Sequence, residues 1–140
     1  MMPHAKGPRL LVTLLLACGA VQASEWVSVS HSTDGADELF VDVSSIRVIN
    51  GIRRAWDKWV PARQTVKGAG ENSHRWVSYE LGRSAFNCGE ETSKIQALTI
   101  YYADGTNEHI APEVFKSWEP VVPDSVYGFE MQYVCAWKPK

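Results

Sequence analysis

Low-complexity tracts and internal repeats are absent from these 140 residues, so one ordinary globular core is the organisation to expect. Neither sign of charge dominates: Lys and Arg number 14, Asp and Glu 16, for a formal net charge of −2. That balance gives no field strong enough to argue for nucleic acid or an anionic membrane as partner. The apolar run Leu10 to Ala17 falls well short of the roughly 20 residues a membrane span needs. Missing too is any catalytic spacing. His31, His74, His109 and Glu108 are scattered without a nucleophile, base and orienting group in sequence register, so no enzyme is expected. His31, Asp34 and Asp37 could be written down as metal ligands, but they lie on a short glycine-bearing loop and match no ligand signature, so no metal or cofactor is expected. What the chain has in plenty is tryptophan, six in all.

The first 23 residues have the three parts of a secretory signal: a head with His4, Lys6 and Arg9 and no acid, the apolar run, and small residues at Val21-Gln22-Ala23. Cleavage after Ala23 would leave residues 24–140 as a single domain. A competing reading sits inside the leader, because Leu15-Leu16-Ala17-Cys18 resembles a lipobox whose cysteine is acylated. A lipoprotein usually has a flexible tether after its cysteine, whereas Glu25-Trp26-Val27 already reads as a strand, which favours simple cleavage. Membrane attachment is expected only if Cys18 is lipidated.

With the leader removed, Cys88 and Cys135 remain. Two cysteines in an oxidising compartment most often pair, and this pair would close a loop worth roughly 4 kcal/mol in the chain-entropy model. A reactive thiol or a metal pair is the alternative, and neither cysteine has a partner at ligand spacing.

The most informative run is Leu39 to Gln64. It reads as a strand over Leu39–Val43, a side-chain-capped turn at Asp42, Ser44 and Ser45, an Asn50-Gly51 hairpin turn, and a strand over Ile52–Val60 ended by Pro61. Alternation puts Arg54, Trp56 and Lys58 on one face of that second strand, where aromatic and cationic groups side by side could form a partner-binding strip. The blander reading, preferred on sequence alone, makes Trp56 or Trp59 a core residue covered by arginine methylenes.

Strands are also expected over Glu25–Ser30, Arg75–Asn87 with a bulge at Gly82, Lys94–Tyr102, and Thr106–Ile110. Arg63–His74 reads as a polar loop, and Pro112–Trp118 as one or two helical turns. In the last segment Tyr127, Met131, Val134 and Cys135 fall on one helical face behind a cap at Asp124 or Ser125, which favours a helix over a final strand. Gly128 weakens that helix by about 1 kcal/mol.

Several of these residues together resemble the surface-adhesin protein E family of bacterial envelope proteins. The resemblance rests on Phe40-Val41-Asp42, Ser45-Ile46, the turn followed by Trp56, Ser78, Phe86-Asn87-Cys88, Tyr101-Tyr102 before a glycine turn, Trp118 with Val121, Pro123 and Ser125, and the closing Cys135. Asn87 stands where Asp is common, and Arg63-Gln64 where a Pro-Gln step is frequent. The resemblance implies a small, mostly antiparallel α+β domain with a C-terminal helix, one disulfide and no cofactor. It further implies an exported protein, periplasmic or on the outer surface, that binds a protein partner of the host matrix or serum class and can form a homodimer. The alternative is a periplasmic inhibitor, assembly factor or small-ligand binder with no adhesive role.

Overall fold

The computed structural model describes residues 23–31, 37–62, 65–67 and 75–139. Residues 1–22 of the leader, Cys18 among them, and Asp34 and His74 lie outside the described residues. Among those described, the strands are β1 (Trp26–His31), β2 (Asp37–Ile49), β3 (Ile52–Pro61), β4 (Thr65–Lys67), β5 (Arg75–Asn87), β6 (Thr92–Tyr102), β7 (Asn107–Ile110) and β8 (Glu119–Pro120). They form one antiparallel sheet in the order β1-β2-β3-β5-β6-β7, with β4 paired to β5 and β8 to β6. Helix α1 (Val126–Ala136) closes the chain and packs on one face, against β1, β2, β3 and β5.

The hairpin turn between β2 and β3 forms where Asn50 and Gly51 both take positive φ, at 51° and 78°, as a type I′ turn requires. The expected cap before it is a break of register inside one long strand, since β2 runs on through it. Asp42 Oδ1 accepts from the backbone N–H and the hydroxyl of Ser44, and the Ser45 hydroxyl donates to the Asp42 carbonyl. Ser45 Oγ in turn accepts the N–H of Trp56 at 2.8 Å, standing in for the carbonyl that the bulge removes from the ladder. Burial would push the Asp42 carboxyl pKa up, but the hydrogen bonds from Ser44 and from the Glu25 N–H outweigh it and hold it below the usual carboxylate value.

Three expectations shift. Within the run read as a polar loop, Thr65–Lys67 pairs with Arg75–Val77 as a short ladder. Gly82 is regularly paired, and the breaks in β5 fall on either side of it. One of those breaks slips β6 by a residue, so Ile95 and Leu98 line the same cavity although strict alternation along a strand sets residues three apart on opposite faces. The segment 112–118 makes only a single 3-10 turn, Pro112–Val114.

The main core joins Val41, Ile46, Ala55 and Phe86 of the sheet to Val134 of the helix, with Met131, Tyr133, Cys135 and Trp137 packed around them. A smaller cluster of Val77, Ile100 and Tyr102 lies further along the sheet, with Trp59 against it. The helix begins at Ser125, whose hydroxyl accepts the Gly128 N–H at 3.0 Å. Gly128 is required by space: a Cβ there would stand 2.8 Å from the carbonyl oxygen of Val122. Cys88, just past β5, is disulfide-bonded to Cys135 of the helix, with Cα atoms 5.9 Å apart.

Candidate functional site

The two faces of β3 have opposite chemistry. On the solvent face stand Arg54, Trp56 and Lys58, brought together as alternation requires. Trp56 is 40 % exposed and Ala55 beside it is buried, so of the two tryptophans that the blander reading offered as core, Trp56 is not the one. The six tryptophans divide by role: Trp59, on the helix side, packs against one core cluster and Trp137 against the other. The outer strip continues across the sheet. Lys58 Nζ lies 4.9 Å from the centre of the Tyr79 ring on β5, and Tyr79 stacks on Tyr101 of β6 with centroids 4.5 Å apart.

At the hairpin end of this face the register sets Arg47 directly opposite Arg54, and Arg83 opposite Trp56. These four side chains, with Ser45 and Ala55, surround a hollow of about 230 Å³. Arg47 is braced by Nη1 bonds to the carbonyls of Ser44 and Ile46, at 2.9 and 2.8 Å. Arg54 Nε is buried without an acceptor.

The inner face of β3 carries the opposite charge. Asp57 and Glu80, both nearly buried, line a cleft of about 280 Å³ whose walls include Leu39, Trp59, Leu98 and Tyr127. Gly82 makes room for the Asp57 carboxyl, since a Cβ there would sit 2.5 Å from Oδ1. Ser84 donates to Asp57 Oδ2 at 2.7 Å. Burial pushes the Asp57 pKa up to about 6, with the Ser84 hydrogen bond pulling it down and the Glu80 charge pushing it up again. Glu130 of the helix is fully buried, and nothing donates to either of its oxygens. An ionised carboxylate has no stabilising partner there among the described residues, so Glu130 holds its proton. Burial, then the Asp57 charge, raise its pKa well above the ordinary value. Tyr127 beside them is pushed up to about 12 by burial and by the nearby carboxyls. The group is a pair of buried acids with raised pKa values, and the hydroxyl bonded to it is that of Ser84.

Other residues singled out by sequence are dispersed. Glu108 accepts from the Tyr102 hydroxyl at 2.8 Å and from Arg75 at 3.4 Å, while His109 pairs with Thr99 at 3.2 Å. Glu108 and His109 therefore serve separate cross-strand contacts. Asp37 opens β2, opposite Pro61. Sequence reasoning missed Arg47 and Arg83 as neighbours of Trp56, because only strand register joins them. It also missed the acid pair, although one signal was available. Glu130 lies three residues after Tyr127 and four before Val134, which places a carboxyl on the apolar stripe of the helix.

The profile of the family described as "Surface-adhesin protein E" matches residues 26–136. Among solved structures, crystal form II of Haemophilus influenzae protein E superposes with a TM-score of 0.54 at 16 % identity, covering 78 % of this chain and 87 % of that one. A second structure of Haemophilus influenzae protein E gives a TM-score of 0.52 at 16 % identity, covering 78 % and 83 %. No curated protein sequence matches this chain.

Proposed function

Because this chain belongs to the surface-adhesin protein E family, we propose that it is an exported, non-enzymatic envelope protein that binds a macromolecular partner through the solvent face of β3. Host matrix or serum proteins are the partner class in view, and residues 1–23 are the export signal. The observation that carries this reading is Trp56, a large aromatic left 40 % exposed between Arg54 and Lys58. Tryptophan, tyrosine and arginine are the residues that dominate binding energy at protein interfaces, and an aromatic strip rimmed by cations is an arrangement that burial in a partner would stabilise.

The reading predicts saturable binding of the disulfide-bonded protein to immobilised matrix or serum proteins, weakened tenfold or more by Trp56→Ala, with the unfolding midpoint held close to that of the parent. Binding that is absent, or unchanged by Trp56→Ala, removes it. Intact cells treated with external protease separate the two locations. Cleavage of the protein places it on the outer surface, whereas full protection supports the alternative of a periplasmic module. Intact mass of the exported chain decides between cleavage after Ala23 and acylation of Cys18.

A further inference from the structure

We propose that the arginine hollow at the hairpin end of the sheet seats sulfate-ester groups of an acidic polysaccharide, with Trp56 as the apolar platform beside it. This rests on the reading of the β3 face as the binding surface and names the chemistry it recognises.

The first ground is the register. Like charges directly opposite on neighbouring strands destabilise a sheet, yet Arg47 and Arg54 are paired in this way, and Arg83 closes the same hollow from β5. No carboxylate lines it. The nearest acid along the ladder, Asp42, is turned to the Glu25 N–H and to Ser44. Three guanidinium groups gathered without an anion are an arrangement that a bound anion would stabilise.

The second ground is preorganisation. Arg47 is fixed by two backbone carbonyls, and Arg54 holds a buried Nε that no group among the described residues satisfies. A buried donor without an acceptor is destabilising, and an oxyanion met as the Arg54 side chain turns outward would supply the acceptor. Planar guanidinium forks match oxyanions in pairs of parallel hydrogen bonds.

Stoichiometry selects among anions. A sulfate monoester, like a phosphate monoester, offers three terminal oxygens, one toward each of three arginines, whereas a carboxylate or a phosphodiester offers only two. That favours a sulfated chain over an acidic peptide, a nucleic acid or a phospholipid diester. The exposed Trp56 ring gives the sugar an apolar face to lie on, and Lys58 further along the strand meets the next negative group. The hollow, at about 230 Å³, admits one such group and leaves the rest of the chain on the surface.

The test uses the disulfide-bonded protein and three probes: heparin, the same chain with its sulfates removed and carboxylates kept, and single-stranded DNA of similar charge. Heparin is expected to bind at least tenfold more tightly than either comparison, with an affinity that falls steeply with salt. Arg54→Ala with Arg83→Ala should weaken heparin binding tenfold or more, and Arg54→Lys, which keeps the charge and loses the fork, should weaken it several-fold. Removing two distant cations, Lys116→Ala with Lys138→Ala, should leave it within twofold. Equal binding of desulfated chain or DNA overturns the proposal, and so does equal loss in the distant pair. Inorganic phosphate and inorganic sulfate as competitors distinguish the two monoester sources: displacement of heparin by phosphate alone overturns the sulfate assignment. Matrix proteins stripped of sulfated chains separate this inference from the broader one. If they are held as tightly as untreated ones, the sulfate seat is overturned while the binding face stands, and if neither form binds, the broader reading fails.

Discussion

Arg53 of β3 donates from Nη1 to the carbonyl oxygen of Trp137 at 2.6 Å, and from the same nitrogen to that of Val134 at 3.3 Å. The residue next to it, Arg54, faces the opposite side of the sheet. Two adjacent arginines in one strand therefore have separate tasks. One satisfies carbonyls at the C-terminal end of α1, where a cation also complements the helix dipole, and the other lines the solvent-face hollow.

Arg53→Ala is accordingly expected to lower the unfolding free energy by about 1.5–3 kcal/mol, the range for hydrogen bonds to a charged group. Urea denaturation checks this. Amide exchange should accelerate first in the last turn of α1, and a uniform acceleration across the sheet would contradict the assignment.

The acid pair gives a pH dependence with a definite sign. Asp57 and Glu130 both have folded-state pKa values above their unfolded ones, so the folded protein binds protons more tightly. Their contribution is fully present below about pH 4 and is lost as pH rises through about 6 and beyond. For Asp57 alone the shift from 3.8 to about 6 corresponds to on the order of 3 kcal/mol. Asp42, with a lowered pKa, acts in the reverse sense, losing its contribution only as pH falls below the ordinary carboxylate range. Glu130→Gln keeps the side chain's shape and removes one buried ionisation. It should raise stability at pH 8 by about 1 kcal/mol or more and flatten the slope between pH 5 and 8. Thermal unfolding across pH measures both, and a variant as pH-sensitive as the parent would rule out a raised Glu130 pKa.

The Cys88–Cys135 bond spans 47 residues and ties the end of β5 to the helix. Replacing both by Ser should cost about 4 kcal/mol in the chain-entropy model, read as a lowered urea midpoint. Val134 beside it still packs in the main core, but the bond is the covalent tie between α1 and β5, so its loss should release α1 before the sheet. Amide exchange in α1 and in the sheet strands would then be lost at different denaturant concentrations.

Much of the architecture was legible from local pattern. Asn50-Gly51 specified its turn because few residues other than Gly and Asn tolerate positive φ at both central positions. Ser125 specified a helix start because its hydroxyl offers an acceptor that nearby N–H groups need. The pairing of Cys88 with Cys135 followed from compartment and number. Less legible was the end of β6, where Ile95 and Leu98 share a wall only because a bulge shifts the period by one residue.

The amino-acid order by itself determined the longer strands, the closing helix and the alternation that sets Arg54, Trp56 and Lys58 on one side of β3, since these depend on neighbours within a few residues. It did not give the short strands β4 and β8. It could not decide which side met solvent, because an exposed Trp56 and a buried one carry the same spacing. Only the packing of α1 over the other face settled that, by burying Asp57 with Glu130 and leaving the tryptophan outside. Arg47 and Arg83 came beside it through cross-strand register, a relation between residues 36 positions apart that no local pattern encodes.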